Sequence, residues 1–533
     1  MKRFLFLFSL IFAIFCSIAQ TYHPDDKEGL RIFLRQNGNF QKLGLQISDT
    51  LNWQTTETWV SKVKGLIWNN SSPKRVKKID WYKSNLSGTL NCNKWEELVS
   101  ADFFWNNITS LDINNNLSLT ILDCRKNQLT SIDISNNYNL NTFRCSSNQL
   151  TELNVSSNTL LTFLECSTNQ ISTLDINANS NPNLTDLCCG MNKLANLDVS
   201  NLTLLIELDC SYNQLTSLNV DNCTSLWRLD CTGNKLATLD ISKCQSLGSL
   251  FCPVNQLTTL ELSSNIHLLE LGCSHNYLSS LDVSSNLDLI FLSCSNNQFL
   301  SLEVSNNQNL LYLLCHDNQI ASIEIDKNLI LYDLKCHNNQ LLFSKIPKLK
   351  VTFYEYSPQR TIFGGKIDYE KGIDLSEEYN INGNITQFSW FDITHDDEIP
   401  IELNGVNGFF SLTEDFEHKH LRCKMTNAEF PLLSGEKILV YEIFIGSCES
   451  VGNLTSEKIN NNTILLNWTK PETTLQIEGY NVFRNSLLQN SVLLTDTVYL
   501  DENLPVGSYE YYVVAHYANG LCGGQFESCN GAY

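Results

Sequence analysis

The sequence predicts a solenoid of short parallel β-strands, with a small helical cap before it and two all-β sandwich domains after it. Three observations support this fold class. A 21-residue period runs through the middle of the chain, amphipathic segments precede the period, and alternating apolar segments separated by turn residues follow it. The period carries most weight, because self-similarity at a fixed interval is the signature of a repeat architecture.

Length and charge limit the domain count and the partners. The 533 residues are enough for roughly three or four domains. Lys and Arg number 36 against 57 Asp and Glu, which gives a formal net charge of −21. Because phosphate groups repel an acidic chain, we expect no nucleic-acid partner and no attraction to an anionic membrane surface.

The first 19 residues are typical of a signal peptide. Lys2 and Arg3 form a basic region, an apolar run extends to Phe15, and residues 17–19 are small enough for cleavage. The run is too short for a membrane span, and the bulky Phe15 disfavours lipidation of Cys16. The sequence therefore predicts a secreted or cell-surface protein. Membrane association is expected only through an anchor that the sequence does not identify.

Residues 20–78 are predicted to cap the first repeat with two short helices. The first helix takes Asp25 as its N-cap with Glu28 three residues later, and the second ends at Gly65. We expect the apolar faces of both helices to form the core of the cap rather than a ligand site. These faces consist of Leu30, Phe33, Leu34, Trp59, Val60 and Val63.

Residues 79–343 contain the repeat, and one cysteine per repeat forms a column that we name the cysteine ladder. Its members are Cys124, Cys145, Cys166, Cys189, Cys210, Cys231, Cys252, Cys273, Cys294, Cys315 and Cys336. Every step is 21 residues except that from Cys166 to Cys189, which is 23. A leucine lies five residues before each cysteine and an asparagine three after, so the unit L-x-x-L-x-C-x-x-N-x-L is a leucine-rich repeat. Two degenerate rows precede it, with Tyr82 and Phe103 in the cysteine column.

The spacing predicts which side chains face the core. Residues two apart on a strand share a face, so Leu208 and Cys210 point inward and Asp209 points outward on the concave sheet. Leu218 and Val220 face inward on the return segment. The asparagines are expected to bond otherwise unpaired backbone groups in a turn.

Four explanations for the cysteine ladder compete: disulfides, metal binding, catalysis and packing. Parallel side chains in one column point the same way, and an odd number of cysteines cannot pair completely. The column lacks the short local spacing of metal-binding cysteines, and it faces a leucine core rather than a nearby cation. The sequence therefore favours cysteine as a small buried hydrophobe.

The sequence does not decide whether the other cysteines form disulfides. Cys223 and Cys244 are also 21 residues apart, so a disulfide between neighbouring repeats is one alternative. A bridge that closes a small exposed loop near the carboxyl end is another. The open pairings concern Cys92, Cys223, Cys244, Cys448, Cys522 and Cys529.

The cysteine ladder on a 21-residue leucine-rich repeat resembles the internalin-J-type surface proteins of bacteria over residues 79–343. The resemblance implies a leucine-rich repeat solenoid displayed at the cell surface. It does not name a ligand, because receptors differ widely across internalin-like proteins.

Two β-sandwich domains are predicted after the repeats. Residues 344–446 resemble an immunoglobulin-like domain through Trp390 and Cys423, with Leu375 where a second cysteine would be usual. Residues 447–533 resemble a fibronectin type III domain through Trp468 and Tyr509. Both are expected to act as stalks or spacers. His418 and His420 beside Cys423 are better explained by strand alternation than by metal binding.

We find no motif that indicates catalysis. The chain has no nucleophile elbow, zincin motif, phosphate-binding loop or dinucleotide fingerprint. His316 and His337 share an outward column one repeat apart, but serine, glycine and arginine occupy this column elsewhere. We therefore predict a protein that is not an enzyme, with no cofactor and no metal.

A binding surface is predicted on the concave sheet, where acidic residues give way to aromatic and apolar ones. Strand propensity and contact with the next domain are the alternative explanation. The candidate contact residues are Asp209, Asp230, Phe251, Phe291, Tyr312, Leu314 and Tyr332. The predicted function is an exported, adhesin-like recognition protein that binds an extracellular protein. A glycan-binding accessory protein and a structural envelope or matrix component are the alternatives.

Overall fold

The computed structural model describes residues 22–51, 53, 57–326, 331–349, 351–394, 397–417, 419–445, 451–460, 463–471, 477–484, 487–489, 492–502, 504, 509–517 and 520–529. The predicted signal peptide lies outside this part of the chain. The chain divides into two compact units: one runs to Leu236 and includes Lys243–Leu247, and the other comprises Ala237–Ser242 and the chain from Gly248 onward. In the described residues, no helix has the length and apolar character needed to cross a membrane.

Helix α1 (Pro24–Leu34) confirms the first predicted helix, but the prediction of Asp25 as its N-cap was wrong. His23 is the N-cap, and its Nδ1 accepts a hydrogen bond from the Asp25 backbone N–H at 3.3 Å. Pro24 explains the difference: proline has no N–H to be capped, and its fixed φ suits the first position of a helix.

The second predicted helix was also wrong, because the segment forms only a 3₁₀ turn, Val60–Lys62. The turn ends at Lys62, because Val63 is already extended, and Gly65 then adopts a left-handed φ of 77° just before strand β1. A side chain at Gly65 would collide with the Asp80 carbonyl, so only glycine fits at this position. Two further short helices are present, α2 (Asn39–Lys42) and α3 (Ile47–Thr50). The predicted apolar faces are buried as expected.

The first unit contains a stack of short strands in which each parallel step is one repeat. Its strands are β1 (Leu66–Trp68), β2 (Val76–Asp80), β3 (Ser87–Asn91), β4 (Ser100–Asp102), β5 (Asn107–Asp112), β6 (Ile121–Asp123), β7 (Thr142–Arg144), β8 (Phe163–Glu165), β9 (Asp186–Cys188), β10 (Asn196–Asp198), β11 (Glu207–Asp209), β12 (Ser217–Asn219) and β13 (Arg228–Asp230). The main sheet has the order β1-β2-β4-β6-β7-β8-β9-β11-β13. Only β1 and β2 pair antiparallel within it. On the return side, β3 pairs with β5 and β10 with β12.

The second unit begins with the same architecture. Its repeat strands are β14 (Ser249–Phe251), β15 (Glu270–Gly272), β16 (Phe291–Ser293), β17 (Ser301–Glu303), β18 (Tyr312–Leu314), β19 (Ser322–Glu324), β20 (Leu331–Lys335) and β21 (Val351–Glu355). Strands β14, β15, β16, β18, β20 and β21 are parallel neighbours in that order. Both units thus contain a stack of leucine-rich repeat turns.

All eleven cysteines of the cysteine ladder are buried thiols between the two sides of the stack. Leu208 and Cys210 are 1% and 0% exposed, so the predicted inward face is confirmed. Beside them, the Asn213 side chain donates to the carbonyls of Cys189 and Cys210, both at 3.1 Å, and accepts from the Leu194 N–H at 3.0 Å. The predicted bonds to backbone groups are thus confirmed, and they also join two successive repeats.

A second asparagine column, which the sequence analysis missed, follows the return segment. Asn137 donates to the Ile113 carbonyl, 24 residues earlier, at 3.1 Å. Cys223 occupies the same position two repeats beyond Asn181 and donates its S–H to the Val199 carbonyl at 3.2 Å, again 24 residues earlier. Cys244 donates to the Val220 carbonyl at 3.5 Å, and both cysteines are thiols. Cys223 and Cys244 thus replace asparagines in this column and do not form a disulfide.

The 23-residue step is absorbed in a turn between two repeats. Asn181 belongs to the second asparagine column and donates to the Val155 carbonyl at 3.2 Å, 26 residues earlier instead of 24. The two additional residues of the segment 177–184 therefore leave the column in register.

The column of the cysteine ladder continues in other residue types, with two residues before Cys124 (Trp81 and Phe103) and one after Cys336 (Tyr356). The prediction of Tyr82 in the cysteine column was wrong, since Trp81 is buried and Tyr82 is 48% exposed. Asn106 donates to the Trp81 carbonyl at 2.8 Å, which marks Trp81 as the residue in the column. At the other end, Tyr356 is buried, and Gln359 donates to the carbonyls of Cys336 and Tyr356 at 3.1 and 2.6 Å. Tyr356 and Gln359 thus repeat the cysteine–asparagine pattern in other residue types.

The remaining strands form four larger sheets and one hairpin. They are β22 (Ile362–Ile367), β23 (Ile373–Asp374), β24 (Asn380–Ile381), β25 (Asn384–Ile385), β26 (Gln387–Asp392), β27 (Ile399–Ile401), β28 (Asn404–Val406), β29 (Phe409–Ser411), β30 (His420–Thr426), β31 (Leu439–Ile445), β32 (Gly452–Asn460), β33 (Thr463–Thr469), β34 (Ile477–Arg484), β35 (Leu487–Leu488), β36 (Val498–Asp501), β37 (Tyr509–Tyr517) and β38 (Gly520–Cys529). The sheets are β22-β31-β30-β26-β27, β23-β29-β28, β32-β33-β36 and β35-β34-β37-β38, and β24 and β25 form the hairpin. Helix α4 (Ser376–Tyr379) and 3₁₀ turns at Tyr369–Lys371, Glu414–Phe416 and Gly435–Lys437 connect them.

The four residues that the sequence singled out after the repeats, Trp390, Cys423, Trp468 and Tyr509, are buried in these sheets. Trp390 faces Cys423 across strands β26 and β30, and both side chains are buried. Trp468 lies on β33, and its ring centroid is 5.3 Å from that of Tyr480 on β34. Side chains from the last two sheets enclose one hydrophobic core, which includes Trp468 and Tyr509. Cys448 lies outside the described residues, and the side chains of Cys522 and Cys529 are not described.

Candidate functional site

Five aromatic rings follow one another along the outward face of the parallel sheet in the second unit. We name this set the aromatic stripe: Phe251, Phe291, Tyr312, Tyr332 and Phe353. Successive ring centroids are 6.3, 6.0, 5.5 and 5.2 Å apart. The strand pairing creates this order, because Phe291 lies opposite Tyr312 and Asp333 lies opposite Phe353. The structure therefore brings together the four aromatic residues predicted as contacts and adds a fifth.

The rings of the aromatic stripe are inclined to one another rather than stacked flat. Their interplanar angles are 45°, 46°, 61° and 71° in chain order. Exposure increases along the stripe: Phe251, Phe291 and Tyr312 are half-buried, whereas Tyr332 is 45% and Phe353 53% exposed. Inclined neighbouring rings do not cover one another completely, so they leave notches between them.

A glycine positions the first ring. A Cβ added to Gly272 would lie 2.7 Å from Cδ1 of Phe251, well inside van der Waals contact. The Phe251 ring therefore lies directly over the neighbouring strand because position 272 has no side chain. Gly272 was not among the predicted site residues, because its role depends on the neighbouring ring.

Charged groups border the aromatic stripe at two places. Glu270 accepts a hydrogen bond from the Ser249 hydroxyl at 2.8 Å. Lys335 and Glu355 form an ion pair with an N–O distance of 2.9 Å. The hydrogen bond from Lys335 lowers the pKa of Glu355. Leu314 is half-buried and pairs between Ser293 and Lys335, so it extends the apolar surface from the adjacent outward column.

Asp209 and Asp230 lie on β11 and β13 of the first unit, and both carboxylates take part in turn structure. Asp209 accepts hydrogen bonds from the backbone N–H and the hydroxyl of Ser211 at 3.0 and 2.6 Å. Asp230 accepts the corresponding bonds from Thr232 at 3.1 and 2.6 Å. One oxygen of each aspartate thus stabilises its own strand–turn junction. Their role as ligand contacts stays a prediction.

The first unit contains an aromatic and cationic group that the sequence analysis missed. We name it the Trp105 cluster: Tyr82, Lys83, Phe104, Trp105 and Lys126. The indole of Trp105 is 46% exposed, and the Nζ atoms of Lys83 and Lys126 lie 4.5 and 4.8 Å from its ring centroid. Trp105 has a φ of 59°, which is rare for a bulky residue. The run Phe103–Trp105 was the available signal, but only Phe103 was assigned to a column.

His316 and His337 lie one repeat apart on the second unit, with parallel rings whose centroids are 4.7 Å apart. Burial and the neighbouring His337 lower the pKa of His316. His420, which was also considered as a metal ligand, has different surroundings. It contacts the Glu442 carboxylate at 3.4 Å and stacks on Phe444 with ring centroids 4.0 Å apart. His418 lies outside the described residues.

The cysteine ladder offers no reactive thiolate. Burial raises the pKa of ten of its members; that of Cys273 and of Cys315 rises to about 12. A thiol that stays protonated is a poor nucleophile and a poor metal ligand. The geometry therefore supports the packing explanation.

No protein-family model matches the chain, and no protein of curated function matches it. Solved structures do match. The chain is similar to the functional domain of InlJ from Listeria monocytogenes, which includes a cysteine ladder, at 26% identity and a TM-score of 0.49 over 70% of this chain and 90% of that one. It is similar to YopM from Yersinia enterocolitica at 29% identity and a TM-score of 0.40, over 46% of this chain and 52% of that one. A TDR receptor matches at 20% identity and a TM-score of 0.46, over 54% and 61%.

Proposed function

We propose that the chain is an exported, non-catalytic recognition protein, adhesin-like in its use, that binds an extracellular protein through the aromatic stripe. Residues 1–19 would direct export, residues 20–78 would cap the repeats of 79–343, and the immunoglobulin-like (344–446) and fibronectin type III (447–533) domains would serve as spacers. No cofactor and no chemical step are needed. The protein would act in a secreted or cell-surface location.

The observation that carries the proposal is the aromatic stripe itself. Five rings in contact on the outward face of a sheet form an apolar surface much larger than a single exposed side chain. Aromatic residues dominate the binding energy of protein interfaces when they fill pockets of a partner. The ion pair of Lys335 and Glu355 gives this surface a polar border, as protein interfaces have.

The orientation of the rings favours a protein over a glycan at this site. A sugar stacks on a flat, exposed ring face, whereas inclined rings at 45–71° cover part of each other's faces. A protein partner can instead insert apolar side chains into the notches.

The test is a binding screen of the full chain against extracellular proteins and a glycan panel. The variant Phe291→Ser/Tyr312→Ser/Leu314→Ser removes the centre of the surface. We expect it to bind a protein ligand at least about 30-fold more weakly, because a hot-spot residue contributes about 2 kcal/mol or more. Tyr138→Ser is the matched control, since Tyr138 is 55% exposed and lies outside the stripe.

Equal binding of the triple variant and the wild type, with folding intact by circular dichroism, would rule out the aromatic stripe as the binding surface. Absence of any saturable ligand would favour a structural envelope or matrix component.

Glycan binding is the second candidate, and the Trp105 cluster favours it. An exposed indole flanked by two ammonium groups suits an acidic sugar, which presents an apolar face of C–H groups and a carboxylate. The screen separates the two functions: Trp105→Ala abolishes binding of acidic glycans if this surface acts, and the stripe variant leaves such binding unchanged.

A further inference from the structure

The histidine pair, His316 and His337, has geometry that ring packing alone does not explain. Both residues directly follow a cysteine of the cysteine ladder, and their rings are nearly parallel at an interplanar angle of 12°. The side chains are 22% and 19% exposed, so they border solvent without projecting into it. The pair belongs to the second unit and is distinct from the rings of the aromatic stripe.

Both Nδ1 atoms of the histidine pair are buried and have no hydrogen-bond partner in the described part of the chain. Buried side-chain nitrogens and oxygens are normally hydrogen-bonded, so two such atoms in one place require an explanation. Ser274 and Ser295 form the corresponding pair two repeats earlier in this column. They are hydrogen-bonded as expected, because the Ser295 hydroxyl donates to the Ser274 hydroxyl at 3.0 Å.

Carboxylates approach the histidine pair from two sides. Asp317 Oδ2 lies 3.7 Å from His316 Nε2, while its Oδ1 accepts a hydrogen bond from the Asn338 side chain at 2.8 Å. Glu355 Oε2 lies 3.7 Å from His337 Nδ1, while Lys335 holds the other Glu355 oxygen. In each carboxylate, one oxygen is fixed by a neighbour and the other faces an imidazole.

The 3.7 Å between Asp317 Oδ2 and His316 Nε2 is a distance between ligands placed around a cation rather than that of a direct hydrogen bond. Two donors that each lie about 2.1 Å from a tetrahedral Zn²⁺ are about 3.4 Å apart. One ligand atom from each of His316, Asp317 and His337 lies within 4.8 Å of the other two. Rotation of the imidazoles about χ2, which is a soft torsion, would bring the nitrogens closer together.

From this arrangement we infer that His316, Asp317 and His337 bind a divalent first-row transition ion of the Zn²⁺ class. Two imidazoles and one carboxylate suit Zn²⁺, Ni²⁺ or Cu²⁺, whereas Ca²⁺ and Mg²⁺ prefer all-oxygen sites. Glu355 is the positioning residue: a carboxylate beside the second nitrogen of a ligating histidine fixes its tautomer and orientation. The ion ties two successive repeats together on their outward side.

The test is titration of the full, chelator-treated chain with ZnCl₂ by calorimetry and with Co²⁺ by visible absorption. We expect one ion per chain, a tetrahedral Co²⁺ spectrum and a higher unfolding temperature with Zn²⁺. His337→Phe keeps a stacking ring but removes the ligand, so binding should be lost. His267→Phe, at an exposed histidine of the same unit, should bind as the wild type does.

Two further variants keep the test decisive if His337→Phe fails to fold. Asp317→Asn and Glu355→Gln preserve side-chain shape, and each should weaken Zn²⁺ binding by about tenfold or more. Glu355→Gln should leave the Co²⁺ spectrum unchanged, since the ligands remain. The inference is overturned if the wild type takes up no Zn²⁺, if the ligand variants bind equally well, or if a sulfur-to-cobalt charge-transfer band shows that cysteines hold the ion.

Discussion

The side-chain amide of Asn213 satisfies backbone groups in the turn and so joins one repeat to the next. It bonds two carbonyls and one N–H, and these groups belong to two successive repeats. Among side chains of this size, only the asparagine amide offers two N–H donors together with an acceptor, because aspartate lacks the donors. The identity of the residue therefore follows from the backbone groups that it must satisfy.

Replacement of Asn213 by alanine should destabilise the protein by about 1–3 kcal/mol, because buried backbone groups lose their partners. Urea unfolding followed by circular dichroism measures this cost. Asn139→Ala is the control, since the exposed Asn139 makes a single bond to the Leu117 carbonyl at 2.9 Å. A loss as small as that of the control would show that water replaces the amide.

At Cys210, the question is whether the sulfur takes part in chemistry or only fills space in the core. Because the side chain is 0% exposed in a leucine core, Cys210→Ala should cost less than Cys210→Ser. The serine hydroxyl would be buried among apolar groups at a cost of about 1–3 kcal/mol if it finds no acceptor. Unfolding of both variants in urea measures the order. Equal or reversed stabilities would contradict the packing explanation.

At the scale of the element, each repeat contributes one short outward strand and one return segment, joined by two side-chain columns. Strands of three residues, such as β11, cannot be stable alone. They persist because the cysteine ladder fills the space between the two sides and the asparagines close the turns. Cys223 and Cys244 show that the second column accepts another residue type if it still donates to the same carbonyl.

Thiol labelling tests this description of the element. In native protein at neutral pH, the ladder cysteines should react slowly with a thiol reagent, because their side chains are buried and their pKa values are raised. In denaturant, at least the eleven ladder cysteines should react rapidly. Fewer reactive thiols after denaturation would mean that part of the column is oxidised.

The sequence predicted the repeat elements well wherever residue identity follows the 21-residue period. It failed at the ends of the stack, where Trp81 and the pair Tyr356 and Gln359 make the same backbone bonds with other residues. The helix start at Pro24 was missed because Asp25 followed by Glu28 resembles a capping box, whereas His23 is the N-cap. At the candidate site, Phe353 was missed since its strand follows the last cysteine, and Gly272 because its role depends on a neighbouring ring.

At the scale of the whole molecule, the buried thiols make stability depend on pH. Ten thiols have a pKa raised above the ordinary value of 9.0, for example to about 12 in Cys273. The folded state therefore keeps protons that the unfolded chain releases. The stability contributed by these groups is complete below the unfolded pKa and is lost as pH rises from about 9 toward 12.

We accordingly expect a steep alkaline unfolding transition. Each thiol lowers the free energy of unfolding by about 1.4 kcal/mol per pH unit above its unfolded pKa, and the effects of several thiols add. Urea midpoints measured between pH 7 and pH 10.5 should change little up to the pKa of the thiols in the unfolded chain. They should then fall sharply within on the order of one pH unit above that pKa. Cys273→Ala should reduce the slope of this decline by the contribution of one proton. A flat profile would mean that these thiols also stay protonated in the unfolded chain.

The turn that absorbs the 23-residue step has a consequence for engineering. Asn181 keeps its bond to the Val155 carbonyl although two more residues lie between them. The segment 177–180 thus lengthens without disturbing either column, and it ends before Asn181 begins the next turn. Foreign peptides grafted at this point, such as an epitope or a randomised loop library, should be displayed on the scaffold without a register shift in the repeats on either side.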